Sequence, residues 1–78
     1  MRPMIVPGDI RRVCVDWACS ISECELAALL TGDTVCIIAI SVGADSSMHR
    51  VRAISAARMH EVGINVSVGN IDALFGAL

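Results

Sequence analysis

The sequence predicts a small α/β domain, a mainly parallel sheet of about three to four strands with two main helices. Residues 35–42 are apolar or small without polar alternation, which is typical of a strand covered on both faces. The segment 48–62 carries residues spaced 3, 4, 4 and 3 apart, which indicates one helix face: Met48, Val51, Ser55, Met59 and Val62. Strand, helix and strand in this order favour a right-handed parallel crossover. The length of 78 residues predicts a single domain over residues 1–78.

The elements before the central strand follow from turn and cap signals. Pro7-Gly8-Asp9 is a turn signal, and the apolar segment 10–15 after it predicts a strand. Residues 22–30 predict the first helix, because Ser22 and Glu25 fit a capping box and three leucines share one face. Gly32 suits the end of that helix.

The elements after the central strand complete the predicted unit. The second helix, over 48–62, ends at Gly63, and residues 64–68 predict a second buried strand. Gly69-Asn70 is a turn signal, and residues 71–78 are expected to form a short apolar helix or coil.

The order of these features from Asp16 onward resembles the catalytic domain of serine recombinases, the resolvase–invertase family. The motifs that carry the resemblance are Val15-Asp16 with Ala18-Cys19-Ser20, then Gly32-Asp33-Thr34, then Gly63-Ile64. The resemblance implies a truncated, degenerate form of that fold. The family's arginine-rich segment corresponds here to residues 39–45, which contain no Arg, and the chain is too short for the strand with the nucleophilic Ser. A fold without the family's chemistry is therefore expected.

Composition and charge exclude several classes of protein. Hydrophobic residues make up 55% of the chain, too many for a disordered protein. The net charge is −2, and residues 9–45 hold six acidic residues against Arg11 and Arg12, so no direct nucleic-acid binding is expected. No apolar run is long enough for a membrane helix and the N-terminus does not read as a signal peptide. We expect a cytoplasmic protein with reduced cysteines and no membrane association.

No set of residues predicts a catalytic centre, a metal site or a cofactor. Four residues separate Cys14 from Cys19 and Cys19 from Cys24, which matches neither zinc nor iron–sulfur spacing. His49 and His60 lie too far apart on the predicted helix to share a metal. The sequence therefore predicts a protein that is not an enzyme.

The function expected is that of a small inhibitor that blocks a basic, nucleic-acid-binding surface of a larger complex. In size and charge the chain is similar to small phage-encoded inhibitors such as anti-CRISPR proteins, which implies a phage or mobile-element origin. Acidic residues would occupy positions meant for phosphate. Trp17 is either a residue at the core boundary or an interface anchor. The predicted partner-binding residues are Asp9, Asp16, Trp17, Glu23, Glu25 and Asp33.

Two alternatives of other classes stay open. The chain is either a catalytically dead recombinase-like domain that retains dimerisation or partner binding, or a phosphate-ligand-binding domain or small enzyme. The latter would use residues 41–47, after the central strand, where α/β proteins bind ligands.

The apolar composition also predicts a homodimer, because one small core cannot hide so much hydrophobic surface. The predicted interface combines the small side of the second helix with the apolar C-terminal strip: Ala53, Ala56, Ala57, Leu74 and Phe75.

Overall fold

The computed structural model describes residues 5–22, 25–43, 45 and 47–78; at Ser22 and Glu25 it describes the backbone alone. Seven strands account for most of these residues. They are β1 (Ile10–Val13), β2 (Trp17–Ser22), β3 (Glu25–Leu29), β4 (Thr34–Val42), β5 (Met48–Ser55), β6 (His60–Ser67) and β7 (Phe75–Gly76). A 3₁₀ turn over Val68–Asn70 leads into a one-turn helix, α1 (Ile71–Leu74).

The strands form one sheet in the order β3-β2-β6-β5-β4-β1-β7. Each neighbouring pair in this order is antiparallel. The sheet curves into a half-barrel. Its inner face carries the core, and its outer face is open to solvent.

Strand β5 shows why the sheet has two different faces. Val51, Ala53 and Ser55 are 0% exposed and point inward, whereas Arg50 and Arg52 between them are exposed. This period of two is that of a strand with one buried face. The hydrophobic core continues on every neighbouring element and consists of Ile5, Val13, Cys19, Leu29, Val35, Ile37, Val51, Ala53, Val62, Ile64, Val66, Ile71, Leu74 and Phe75.

A β-bulge in β4 explains the missing alternation of residues 35–42. Ile37 pairs with Ala53 and Ala39 pairs with Arg52, so Ile38 is the extra residue. After this extra residue, the positions whose side chains face inward shift by one along the strand. Ile37 and Ile40 therefore face inward opposite Ala53 and Val51, although they are three residues apart.

The C-terminal segment closes the core beside β1. The backbone N–H of Cys14 donates to the Leu74 carbonyl oxygen at 2.8 Å, and Val13 pairs with Phe75. Leu74 is 0% exposed and Phe75 is 2% exposed, so this segment supplies core side chains as well as an edge strand.

The predicted fold class is wrong. The sheet is antiparallel with seven strands, and the helix among the described residues has four, whereas a parallel sheet with two main helices was expected. The predicted recombinase-like α/β fold is wrong for the same reason. The strand expected at 35–42 lies within β4, and the strands expected at 10–15 and 64–68 overlap β1 and β6 in part.

The predicted first helix lies in the β2–β3 hairpin. Leu26 and Leu30 were expected to share a buried face with Leu29, but they are 79% and 55% exposed while Leu29 is 0% exposed. Pairing of β3 with β2 overrides the helix propensity of the segment.

The predicted second helix is the β5–β6 hairpin. Its turn contains no Gly, Pro or Asn; Met59 adopts the left-handed backbone conformation, with φ of 61°. Gly or Asn normally occupies this conformation, so the turn cannot be predicted from the residue types in the sequence. The spacing of 3, 4, 4 and 3 then extends across two strands that fold back on each other.

Among the described residues, no helix has the length and apolar character needed to cross a membrane.

The buried C-terminal segment gives a direct test of the fold. Phe75→Ala should lower the free energy of unfolding by about 3–5 kcal/mol, because it leaves a cavity in the core. That is a large share of the roughly 5–15 kcal/mol of a typical domain. Leu78→Ala, at a side chain that is 62% exposed, is the matched control and should change stability by under about 0.5 kcal/mol. Urea denaturation measures both, and equal effects would contradict the placement of Phe75 in the core.

Candidate functional site

A polar cleft lies on the outer face of the sheet where β2, β5 and β6 meet. Its volume is about 490 Å³, and we call it the Arg50 cleft. Polar and charged side chains predominate in its lining, which consists of Ser20, Ile21, Arg50, Arg52, Glu61, Val62, Gly63 and Asn65.

The strand register brings these residues together from distant parts of the chain. Arg50 pairs with Asn65 and Arg52 pairs with Gly63 across β5 and β6. Gly63 pairs in turn with Ser20 of β2. Because paired residues of an antiparallel sheet point to the same face, the side chains of Ser20, Arg50, Arg52 and Asn65 share the outer face.

Arg50 is held in place by two polar side chains. Its Nη1 donates to Asn65 Oδ1 at 3.1 Å, and its Nη2 donates to Ser20 Oγ at 3.2 Å. The Ser20 hydroxyl donates to the Gly63 carbonyl oxygen at 3.3 Å. Within the described part of the chain, no carboxylate forms an ion pair with Arg50.

Gly63 provides the space that Arg50 occupies. A Cβ atom at this position would clash with Arg50 Nη2, and would lie 3.0 Å from Arg50 Cζ and 3.0 Å from Ser20 Oγ. The guanidinium group therefore lies over the backbone of β6, and any larger residue at position 63 would displace it.

The second arginine of the cleft is neutralised. Arg52 Nε and Nη2 donate to the two carboxylate oxygens of Glu61 at 2.7 and 2.9 Å. This bidentate hydrogen bonding lowers the pKa of Glu61 and raises the pKa of Arg52. Among the lining residues, Arg50 is left as the cation without a counter-charge.

A smaller, more apolar depression of about 180 Å³ adjoins the cleft. It shares Ser20, Gly63 and Asn65 with the cleft and adds Trp17, Ala18, Cys19 and Leu26. Trp17 Nε1 donates to the Asn65 carbonyl oxygen at 3.1 Å, which fixes the indole beside β6. Leu26 is 79% exposed at the β3 edge of the sheet.

The predicted acidic partner-binding residues take part in local structure. Asp9 accepts from Arg11 Nη2 at 2.9 Å and from the Val6 N–H at 3.1 Å. The hydrogen bond from Arg11 is the largest cause that lowers the pKa of Asp9. This carboxylate is therefore engaged within its own chain and still ionised at neutral pH.

Asp16 and Asp33 organise the turn between β3 and β4. Asp16 accepts from the backbone N–H and the hydroxyl of Thr31 at 2.8 and 2.9 Å, which lowers its pKa. Asp33 accepts from the Leu30 N–H at 3.0 Å. Glu23 and the side chain of Glu25 lie outside the described residues.

The predicted dimer interface is divided by the fold. Ala53, Leu74 and Phe75 belong to the core of the chain itself. Ala56 and Ala57 are exposed in the turn between β5 and β6. Buried residues offer no surface to a second chain, while dimerisation itself stays a prediction.

Residues 41 and 42 of the predicted ligand-binding segment belong to β4, and β5, which pairs with β4 in antiparallel fashion, begins at Met48. The Ser47 N–H and hydroxyl both donate to Asp45 Oδ1 at 2.9 Å. The predicted reason for a site here, the position after a central strand where α/β proteins bind ligands, does not hold in this antiparallel sheet.

The described His, Cys, Asp and Glu residues form no group of three that could hold a metal ion. Cys14, Cys19 and Cys36 are free thiols, and burial raises the pKa of Cys19. His49 and His60 lie on different strands, opposite Val66 and Ser55.

Comparison of the chain with known protein families, curated proteins and solved structures finds no match. The interpretation of the Arg50 cleft therefore rests on its geometry and charge.

Sequence reasoning missed every polar residue of the Arg50 cleft. One signal was present: Arg50 and Arg52 alternate with Val51 and Ala53, as in a half-buried strand. The helical spacing of the same segment concealed it. Contacts such as Ser20 with Gly63 depend on strand pairing, which spacing does not reveal.

Asp16 predicts an acid-sensitive contribution to stability. Its folded-state pKa is lowered, so its contribution is complete above the unfolded value of about 3.9 and is lost as pH falls through the folded value. Asp16→Asn keeps an acceptor oxygen but removes the charge. We expect its melting temperature to lie below the wild-type value at pH 7 and to converge with it in acid. Asp72→Asn, at an exposed position in α1, is the control. A difference in melting temperature between Asp16→Asn and the wild type that stays constant with pH would contradict the role given to the Asp16 charge.

Proposed function

We propose that this chain is a cytoplasmic, non-enzymatic binding protein that captures an anionic group in the Arg50 cleft. The observation that carries the proposal is a positioned guanidinium group over Gly63 that has no carboxylate partner among the described residues. The neighbouring pair of Arg52 and Glu61 is neutral, so the cleft presents the charge of Arg50.

The cleft also offers hydrogen-bond donors for an anion. Asn65 and Ser20 accept from Arg50, which leaves further N–H groups of its five donors for a ligand. The carboxamide nitrogen of Asn65 adds two more donors. Because Arg50 is already held by two side chains, little of its conformational entropy remains to be lost on binding.

The lining supports binding rather than catalysis. The hydroxyl of Ser20 donates to a backbone carbonyl and accepts from Arg50, so it has no base to activate it as a nucleophile. Glu61, the other ionisable oxygen group of the lining, is held in the ion pair with Arg52.

Substitution of Arg50 tests the proposal. Arg50→Gln should weaken binding of acetate and inorganic phosphate roughly 10- to 100-fold, as expected for a hydrogen bond to a charged group. Gly63→Ala keeps every charge but displaces the guanidinium, so it should weaken binding in the same direction. The fluorescence of Trp17, the single Trp in a chain without Tyr, reports binding next to the cleft.

The matched control replaces the neutral pair. The double variant Arg52→Gln with Glu61→Gln leaves the net charge of the cleft unchanged and should retain anion affinity within a few-fold. Affinity that is indifferent to both Arg50→Gln and Gly63→Ala would contradict the proposal.

A second proposal is the inhibitor expected from the sequence, which places carboxylates on a basic surface of a nucleic-acid-handling complex. It is supported by Asp16, an exposed carboxylate that Thr31 holds in place and that has no ion pair among the described residues. Fixed carboxylates of this kind can occupy positions that bind phosphate.

Salt dependence tests this second proposal. An arginine-rich peptide should bind the protein at low ionic strength and dissociate as the salt concentration passes about 0.15 M, because charges on the surface are screened. Asp16→Asn should reduce the affinity, and Asp72→Asn should leave it close to wild type. Peptide binding that does not change with salt would refute contact through the carboxylates.

A further inference from the structure

We propose that the ligand of the Arg50 cleft is a carboxylate monoanion with an apolar group on the adjoining carbon atoms. The carboxylate would contact Arg50 and Asn65, and the apolar group would lie in the adjoining depression against Leu26. This inference rests on the proposed function and names the class of its ligand.

The charge of the cleft favours a monoanion. Arg50 contributes one positive charge, whereas the charges of Arg52 and Glu61 cancel. A single carboxylate therefore neutralises the lining. A phosphate dianion would bring a second negative charge, for which the described lining holds no further unpaired cation.

The donors of the cleft also suit a carboxylate. A guanidinium group matches the planar geometry of a carboxylate through two parallel hydrogen bonds. Asn65 is fixed beside it, because its side-chain oxygen accepts from Arg50 and its backbone carbonyl accepts from Trp17. The carboxamide nitrogen is then free to donate to the same ligand.

The adjoining depression accounts for the apolar group. It shares three lining residues with the cleft, so a ligand anchored on Arg50 reaches it without crossing the sheet. Leu26, opposite Ser20 in the register, keeps 79% of its surface exposed there. Leu26 thus offers apolar area directly beside the polar cleft, whereas Trp17, which also lines the depression, packs against the core. The cleft volume of about 490 Å³ is in the range of sites for small molecules.

Two sources share this chemistry: the C-terminal residue of a peptide and a free carboxylic acid. The ligands to compare are N-acetyl-leucine, N-acetylglycine, N-acetyl-leucinamide and inorganic phosphate, each titrated into the whole protein while Trp17 fluorescence is recorded. A hexapeptide that ends in Leu and its amidated form separate the two sources. Tighter binding of the free-acid peptide than of N-acetyl-leucine indicates a peptide terminus, and equal binding indicates a free acid.

N-acetyl-leucine should bind roughly tenfold more tightly than N-acetylglycine, because one apolar side chain enters the depression. N-acetyl-leucinamide should bind at least tenfold more weakly than N-acetyl-leucine, since it lacks the carboxylate charge. Leu26→Ser, at an exposed position, should abolish the advantage of N-acetyl-leucine over N-acetylglycine and leave N-acetylglycine unchanged. Arg50→Gln should weaken both acids.

The outcomes separate this inference from the proposed function. If phosphate binds more tightly than N-acetyl-leucine and Arg50→Gln weakens it, the anion site stands and the carboxylate assignment is overturned. If N-acetyl-leucine and N-acetylglycine bind equally, the apolar subsite is overturned. If no ligand responds to Arg50→Gln, the proposed function falls together with the inference.

Discussion

The register of β4, β5 and β6 is the constraint on which the rest of the structure depends. Successive side chains of a strand point to opposite faces, so a slip by one residue would exchange the core for the outer surface. Val51 and Ala53 would then face solvent, and Arg50 and Arg52 would enter the core. The bulge between Ile37 and Ala39 keeps both halves of β4 in phase with β5. The same register that buries the core thus places the arginines on the outer face.

The two arginines of β5 show how neighbouring positions on one face acquire different roles. Arg52 lies opposite Gly63, and its guanidinium reaches the carboxylate of Glu61. Arg50 lies opposite Asn65 and finds two neutral acceptors, which position it without cancelling its charge. Neutral hydrogen-bond partners are what a binding site for an anion requires, since a carboxylate partner would compete with the ligand.

The sequence predicted the strands better than the helices, for physical reasons. Residues 35–42 are rich in β-branched side chains and follow a Gly32-Asp33 turn, so a strand was predictable although its neighbours were not. Residues 25–29 have high helix propensity, and only pairing with β2 makes them a strand. The β5–β6 turn was hidden because Met59 takes a conformation usually given to Gly. The candidate site joins residues 20, 50, 63 and 65, and no local pattern reports such pairing.

Gly63 links the fold to the proposed binding site. On the inner side, its neighbours Val62 and Ile64 are buried at 1% and 0% exposure, so the β6 backbone is fixed by the core. On the outer side, the missing side chain leaves room for the guanidinium of Arg50. A glycine in a strand weakens it, because it has no side chain to pack and more conformational freedom to lose. Here the glycine that lowers the stability of β6 is also the residue that lets the guanidinium of Arg50 lie against the backbone. Such an arrangement is expected where a protein gives up some stability to form a binding site.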